Sequence, residues 1–160
     1  MLLGAMNPCP CGFLGDREKQ CTCSDFQISR YLAKLSGPLL DRIDLQIDVP
    51  RLTPAELLNT ADAEEDSTTI RQRVVNARKI QLERYKKESI LTNSELTSEL
   101  IKKYCIIDES SKEILKIAIV KYQLSGRRYD RVLKLARTIA DLDSSINIQQ
   151  LHLMQALQYR

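Results

Sequence analysis

The sequence predicts a mainly α-helical protein, with one or two short strands confined to its first 50 residues. Three observations predict this fold class. Five helical segments follow one another over residues 69–160, with short connections between them. The run Ile43 to Val49 alternates strictly between apolar and polar side chains and ends at Pro50, which is typical of a half-buried strand. The apolar residues 2–6 stop at Asn7-Pro8, which is typical of the end of a buried strand.

The composition is that of an ordinary folded domain. The 160 residues are 43% hydrophobic, enough for one core or two small subdomains. The formal net charge of +3 is weak evidence for a polyanionic partner. No apolar run approaches the roughly 20 residues that span a bilayer, and no signal peptide is recognisable. We therefore expect no membrane association and a cytoplasmic location.

The chain is predicted to have three parts. Residues 1–50 carry the strands, a cysteine-rich loop and two short helical segments. Residues 51–68 are polar and acidic and are predicted to be a linker. Residues 69–160 are predicted to form a helical bundle.

Capping residues and apolar periodicity place the helices. Ser24 or Asp25 is predicted to cap the first, residues 108–110 are predicted to open the fifth, and Ser125 is predicted to cap the sixth. The predicted helices run over residues 24–34, 39–42, 69–87, 93–104, 108–123, from 125 onward, and 146–159. The residues predicted to face inward, or to lie near the inward stripe, are Val74, Val75, Arg78, Leu82, Tyr85, Ile114, Leu115, Ala118, Ile119, Tyr122, Tyr129, Val132, Leu133, Ala136, Ile139, Ala140, Ile148, Leu151, Met154, Ala156 and Leu157.

Four of the five cysteines form two tight pairs, Cys9 with Cys11 and Cys21 with Cys23. Four thiolates at short range are the ligand set that tetrahedral Zn²⁺ favours, and a metal would order a loop too short to bury its own core. One residue separates the partners of each pair, instead of the commoner two. The alternative is four free thiols in a loop. Cys105 lies in an apolar stretch and is predicted to be a small core residue.

Two residues of the first part are candidates for contact with a phosphate. Asn7 follows an apparent strand, and ligands of open α/β sheets bind beyond the strands' carboxyl ends. The alternative for Asn7-Pro8 is a plain turn. Arg42 lies between a helical turn and a predicted strand, where its planar guanidinium can present a fork to a phosphate. The alternative is an ion pair of Arg42 with Asp41 or Asp44.

The helix that begins after Ser125 carries a basic face. Arg127, Arg131 and Lys134 are separated by four and three residues and therefore share one side of the helix. A basic face at a helix N-terminus suits phosphate, so Arg127 and Arg131 are candidate nucleotide-binding residues. The alternative is an ordinary solvated face.

Together these segments resemble the YifB/ComM-type magnesium-chelatase-like AAA+ ATPases. The segments that carry the resemblance are Ala5 to Gly12, Tyr31 to Leu45, Leu124 to Arg127, Arg137 to Leu142, and Ala156 to Arg160. They cover essentially the whole chain in the family's order. The resemblance implies that residues 1–50 are the end of an α/β AAA+ core and that the helices after residue 68 form its lid, the magnesium-chelatase-related C-terminal domain.

The resemblance also implies roles for individual residues. Asn7 matches sensor 1, which positions the attacking water near the γ-phosphate, and Arg42 matches the arginine finger, which reaches into a neighbouring subunit. Arg127 matches sensor 2, which contacts the γ-phosphate within its own subunit. The cysteines match the family's zinc-finger-like insertion. ATP with Mg²⁺ is then the cofactor of the intact protein, and a self-assembled ring, of six subunits in the family, is the expected assembly.

One departure limits what this chain does alone. No G-x-x-x-x-G-K-[ST] motif occurs, and the acidic Walker B strand is absent as well. We therefore predict that the chain by itself neither binds nor hydrolyses ATP appreciably.

Three functions fit the resemblance. The first is a DNA helicase or branch-migration motor acting in recombination or natural transformation, with DNA as partner. The basic residues of the segment 71–87 are then candidate phosphate contacts, but a solvated helix face is the preferred interpretation, because Glu83 and Glu88 interleave with them and no aromatic stacking platform accompanies them. The second is a chelatase-type motor that drives metal insertion or remodels a partner protein. The third is a non-catalytic, zinc-stapled module that docks partners.

Overall fold

The computed structural model describes residues 2–40, 42–54 and 65–159. It is 55% helical, which confirms the predicted mainly α fold class. The chain divides into two compact units, which consist of residues 1–43 with 48–62, and residues 44–47 with 63–160. Within the described residues, no helix combines the length and apolar character needed to cross a membrane. The predicted linker, 51–68, lies largely outside the described residues.

The first unit contains a cysteine-rich loop and two short helices, α1 (Asp25–Leu32) and α2 (Gly37–Leu40). Ser24 caps α1 as predicted: its hydroxyl accepts the N–H of Gln27, and the Gln27 side chain accepts the N–H of Ser24. Helix α2 begins two residues earlier than predicted and ends before Arg42. The Ser36 hydroxyl accepts the N–H of Leu39 at this start.

The structure departs from the sequence prediction at both strands. Neither residues 2–6 nor residues 43–49 form a strand among the described residues. A strand needs a neighbouring backbone that pairs with it repeatedly along its length. The Gln46 N–H does donate to the Tyr159 carbonyl at 3.0 Å, but a single bond of this kind does not make a strand. The side chains of the alternating segment are accordingly exposed, Leu45 by 46% and Val49 by 87%. Among the described residues, β-type pairing is confined to a single parallel bridge between Ile107 and Ile148.

The second unit is helical. Its elements are α3 (Ser67–Arg84), a 3₁₀ turn (Asn93–Glu95), α4 (Ser98–Tyr104), α5 (Glu109–Tyr122), α6 (Gly126–Leu142) and α7 (Gln150–Gln158). Side-chain oxygens of Asp66, Thr97, Asp108 and Ser125 each cap a helix by accepting the N–H three residues on. Because Thr97 caps a new helix, the segment predicted as one helix over 93–104 is a 3₁₀ turn followed by α4.

Helix α6 lies at the centre of the core. Its residues Val132, Leu133, Ala136 and Ala140 are buried as predicted, and they belong to a cluster that includes Leu153 of α7. Some predicted core positions are exposed instead. These are Val74, Val75, Arg78, Leu82, Tyr122, Leu151 and Met154. On α3 the buried side is formed by Ala77 and Gln81, with Tyr85 just beyond the helix, because these residues recur every four positions.

Candidate metal centre and phosphate-facing residues

The two cysteine pairs meet in the first unit. The sulfur of Cys9 lies 3.4 Å from that of Cys11 and 3.7 Å from that of Cys21, and the sulfurs of Cys11 and Cys21 are 3.5 Å apart. With Cys23, all four sulfurs lie within 4.8 Å of one another. A disulfide holds its sulfurs about 2.05 Å apart, so these are separate thiols. The four side chains can therefore hold one metal ion.

Two glycines and an aspartate shape the loop that joins the pairs. Gly12 has φ +83° and Gly15 has φ +80°, a left-handed conformation that favours glycine. The Gly12 N–H donates to the Cys9 carbonyl at 3.0 Å and closes a tight turn around Cys11. The Asp16 carboxylate accepts the N–H groups of Glu18 and Lys19, both at 2.8 Å, and these bonds lower its pKa.

The cysteine thiols differ strongly in acidity. The N–H groups of Phe13 and Thr22 point at Cys11 and lower the pKa of its thiol to about 5. For Cys21, the Cys23 N–H acts in the opposite direction, but desolvation and the neighbouring sulfurs raise the pKa of the thiol to about 12. Four sulfurs this close cannot all ionise without a cation among them. The four sulfurs can therefore all be thiolates only around a bound cation, which is the state that a metal site requires.

Asn7 lies beside the turn that carries the first cysteine pair. Its side chain is exposed, and its amide rests against Gly12: a Cβ at Gly12 would lie 3.7 Å from Asn7 Nδ2 and 3.8 Å from Asn7 Cγ. Only Pro8 separates Asn7 from Cys9 in the sequence. The structure therefore places the first residue predicted to contact a phosphate next to the cysteine cluster.

Arg42 follows α2, and its side chain is exposed. Its Nη1 donates to the Pro38 carbonyl at 2.8 Å, which folds the guanidinium back over the helical turn. The alternative pairing with Asp41 lies outside the described residues. Asp44 instead places Oδ1 3.3 Å from Nε of Arg131.

The three basic residues predicted to share one face of α6 make different contacts. Arg127 is in the first turn, exposed, directly after the N-cap Ser125 and Gly126. Arg131, one turn later, pairs with Asp44, and Lys134 donates to the Ser94 carbonyl at 3.0 Å. Arg127 is therefore the member of the face best exposed to a ligand, while Arg131 already has a carboxylate nearby.

A buried polar network holds α6 in place, and this network was not predicted from the sequence. Asp141 is 1% exposed. One of its carboxylate oxygens accepts from Arg84 Nη1 at 2.9 Å and Asn93 Nδ2 at 2.8 Å, and the other accepts from Arg137 Nε at 3.1 Å. A second bond joins Arg84 Nη2 to the carboxylate. The Tyr85 hydroxyl donates to Asn93 Oδ1 at 2.6 Å.

The same network reaches the connection between α6 and α7. Arg137, 2% exposed, donates to the carbonyls of Ser145 at 2.6 Å and Ile146 at 2.9 Å. Burial lowers the pKa of its guanidinium, and the attraction of Asp141 opposes this. A signal for this pair was present in the sequence: Arg137 and Asp141 are four residues apart and adjoin the inward-facing positions 136 and 140. Opposite charges at such positions indicate a buried ion pair.

Cys105 is buried by 95% at the end of α4, in the core of the second unit. Burial raises the pKa of its thiol to about 11. It lies in a different unit from the four clustered cysteines, so the prediction that it is a small core residue is confirmed.

These features are those of a magnesium-chelatase-related chain. The family model described as "Magnesium chelatase, subunit ChlI C-terminal" matches residues 64–160, and the model "Magnesium chelatase, subunit ChlI" matches residues 1–57. The chain belongs to this magnesium chelatase family.

Curated relatives match along the whole chain. Competence protein ComM of Haemophilus influenzae is 44% identical over 160 residues, which are 99% of this chain and 30% of that protein. The uncharacterized proteins YifB of Salmonella typhimurium and Escherichia coli are 39% and 40% identical over 159 residues, again 99% of this chain and 30% of each relative. The resemblance to the ComM/YifB type is confirmed, and the chain spans about 30% of the length of these relatives.

Proposed function

We propose that this chain supplies the γ-phosphate-sensing residues of a ring-forming, ATP-dependent motor. Arg127 is assigned to sensor 2, Asn7 to sensor 1 and Arg42 to the arginine finger. The observation that carries the proposal is the position of Arg127: an exposed arginine in the first turn of a capped helix whose body is locked into the core. A rigid helix that presents a guanidinium beside its positive end suits a terminal phosphate.

The setting of Arg42 supports its assignment. Its guanidinium is solvent-exposed, and its bond to the Pro38 carbonyl is a neutral-acceptor bond. A phosphate oxygen is a stronger acceptor, and Arg binds it in a bidentate manner. An arginine finger contributed by a neighbour is worth on the order of a thousandfold or more in rate. It also makes activity depend on assembly, which here means a ring, with six subunits as the expected number.

We assign the cysteine-bound metal as zinc. At a Zn–S distance of about 2.3 Å, the sulfurs of a tetrahedral site are about 3.8 Å apart. The three distances among the sulfurs of Cys9, Cys11 and Cys21, 3.4, 3.5 and 3.7 Å, are slightly shorter. Small outward movements of the side chains reach the tetrahedral arrangement. Zn²⁺ brings no redox chemistry, so its contribution is to order the loop.

We further propose that the motor acts on DNA in the cytoplasm, as a helicase or branch-migration factor. The support is the 44% identity to competence protein ComM of Haemophilus influenzae. The family models, which name magnesium chelatase, support a second candidate, a motor that drives metal insertion or remodels a partner protein. The third candidate is a non-catalytic module in which the metal only shapes a docking loop.

The test is ATP hydrolysis by the full-length protein that contains this chain, with Arg127→Ala and the matched control Arg30→Ala. Arg30 is an exposed arginine in the last turn of α1 and has no assigned role. Loss of one charge-stabilising donor costs roughly 10²–10³ in turnover. We expect a loss of this size for Arg127→Ala and wild-type turnover for Arg30→Ala. Equal rates for the two variants contradict the sensor 2 assignment.

A further inference from the structure

The support for the Asn7 side chain is the turn that carries half of the metal ligands. This turn runs from Cys9 to Gly12 and is closed by the hydrogen bond from the Gly12 N–H to the Cys9 carbonyl, at 3.0 Å. The Asn7 amide lies beside Gly12: a Cβ added to Gly12 would be 3.7 Å from Asn7 Nδ2, an ordinary van der Waals distance. Because Asn7 is also joined to Cys9 through Pro8, movement of the turn changes the surroundings of the Asn7 amide.

The order of this turn depends on the cysteine cluster. Among the described residues of the first unit, Cys9 alone is fully buried, with 0% of its side chain exposed. The neighbouring apolar side chains are exposed, Met6 by 49% and Leu14 by 39%. The loop therefore has no apolar core of its own, and a bound cation is the interaction able to hold the four sulfurs together.

We infer that a thiophilic cation at Cys9, Cys11, Cys21 and Cys23 fixes the position of the Asn7 side chain. Metal loading then controls whether Asn7 is positioned to act as sensor 1. The step from a fixed Asn7 to ATP hydrolysis rests on the proposed function. The structural part of the inference, from metal to Asn7, does not.

The experiment follows the Asn7 side-chain amide by NMR in the full chain labelled with ¹⁵N-asparagine. Spectra are recorded without metal, with one equivalent of Zn²⁺, and after chelation. Asn7→Asp identifies the signal. The internal control is Asn93, whose amide donates to Asp141 at 2.8 Å and to Thr138 at 3.0 Å in the other unit. We expect Zn²⁺ to shift and sharpen the Asn7 signal and to leave the Asn93 signal unchanged. We expect chelation to reverse the change in the Asn7 signal.

Variants separate the metal effect from general unfolding. Cys11→Ser removes one ligand and is expected to abolish the response of Asn7, whereas Cys105→Ser is expected to retain it. In the Zn²⁺-loaded chain, Gly12→Ala is expected to shift the Asn7 signal. Gly15→Ala is the matched control, because it has nearly the same φ but nothing within 4 Å of its Cβ position.

Two results would overturn the inference: no binding of Zn²⁺, or stoichiometric binding with an Asn7 signal that moves no more than that of Asn93. Failure of the proposed function looks different. If the Asn7 signal responds to Zn²⁺ but Asn7→Ala leaves ATP hydrolysis by the full-length protein unchanged, the metal-to-Asn7 link stands and the sensor 1 role is contradicted.

Discussion

Arg84 and Asp141 are 57 positions apart in the chain and form a paired hydrogen bond in the interior of the second unit. The contact joins the end of α3 to the end of α6. Asn93 and Arg137 donate further hydrogen bonds to the same carboxylate. The helix that presents Arg127 is thus tied to its surroundings by a buried charge as well as by apolar packing.

The first prediction concerns Asp141→Asn. The substitution keeps the shape of the side chain but leaves the guanidinium groups of Arg84 and Arg137 without a counter-charge, and Arg137 is 2% exposed. Removal of one partner from a buried ion pair costs about 3–5 kcal/mol. We expect a loss of this size in the free energy of unfolding, measured by urea denaturation.

The control for this prediction is Glu113→Gln. Glu113 pairs with Lys116 on the surface of α5, with both side chains at least 60% exposed. Such pairs contribute about 0–1 kcal/mol. If Asp141→Asn costs no more than Glu113→Gln, the network does not hold α6 in place.

The second prediction concerns metal removal. Trypsin cleaves after Arg17 and Lys19, which lie exposed in the loop between the cysteine pairs. We expect Zn²⁺ to slow cleavage at these two sites, because metal binding orders the loop, and chelation to restore it. Cleavage after Arg30, on α1, is the internal reference. If the chain binds Zn²⁺ but its cleavage pattern is the same with and without the ion, the metal does not order the loop.

The third prediction concerns acid. Hydrogen bonds from Ser111, and from the Ser110 hydroxyl, lower the pKa of Asp108, the N-cap of α5. A lowered folded-state pKa means that the stabilisation is complete above the unfolded pKa of about 3.9 and is lost as the pH falls through the folded value. We expect Asp108→Asn to flatten the decline in the urea midpoint of unfolding below about pH 4. An unaltered acid profile would show that the cap does not titrate in this way.

The secondary structure of this chain follows closely from local sequence. Ser125 caps the helix that it was predicted to cap, Ser24 is the one of two candidates that caps α1, and Asp108 is the first of the three residues predicted to open α5. Capping was predictable because it involves only residues three positions apart. The strand predicted from the alternation at residues 43–49 did not form among the described residues. Alternation selects a face, but a strand also needs a pairing partner, which local sequence cannot supply.

The site was predictable to different degrees. The cysteine cluster was predicted from spacing, and the structure brings its four sulfurs together. The pairing of Arg131 with Asp44 was not predicted, because it joins residues far apart in the chain. The contact of Asn7 with Gly12 was also missed, since it depends on the left-handed turn at Gly12. The assignments of Asn7, Arg42 and Arg127 to nucleotide remain predictions.

The fourth prediction separates the two arginines by subunit. An arginine finger acts on the neighbour's nucleotide, whereas sensor 2 acts on its own. The experiment mixes full-length Arg42→Ala subunits with subunits of a variant that cannot bind ATP. The mixture is expected to regain part of the turnover, because an Arg42→Ala subunit still binds ATP and receives an intact arginine finger from its neighbour. Arg127→Ala in the same mixture is expected to stay inactive. Identical behaviour of the two variants would contradict the separate roles.

We propose that the intact protein is a DNA-directed ATP motor whose hydrolysis needs Arg42. The most direct test is ATP hydrolysis by the full-length protein with and without branched DNA, in wild type and Arg42→Ala. We expect strong stimulation by branched DNA, which Arg42→Ala lowers on the order of a thousandfold. Hydrolysis that is indifferent to DNA would contradict the DNA motor and favour the chelatase-like or protein-remodelling role.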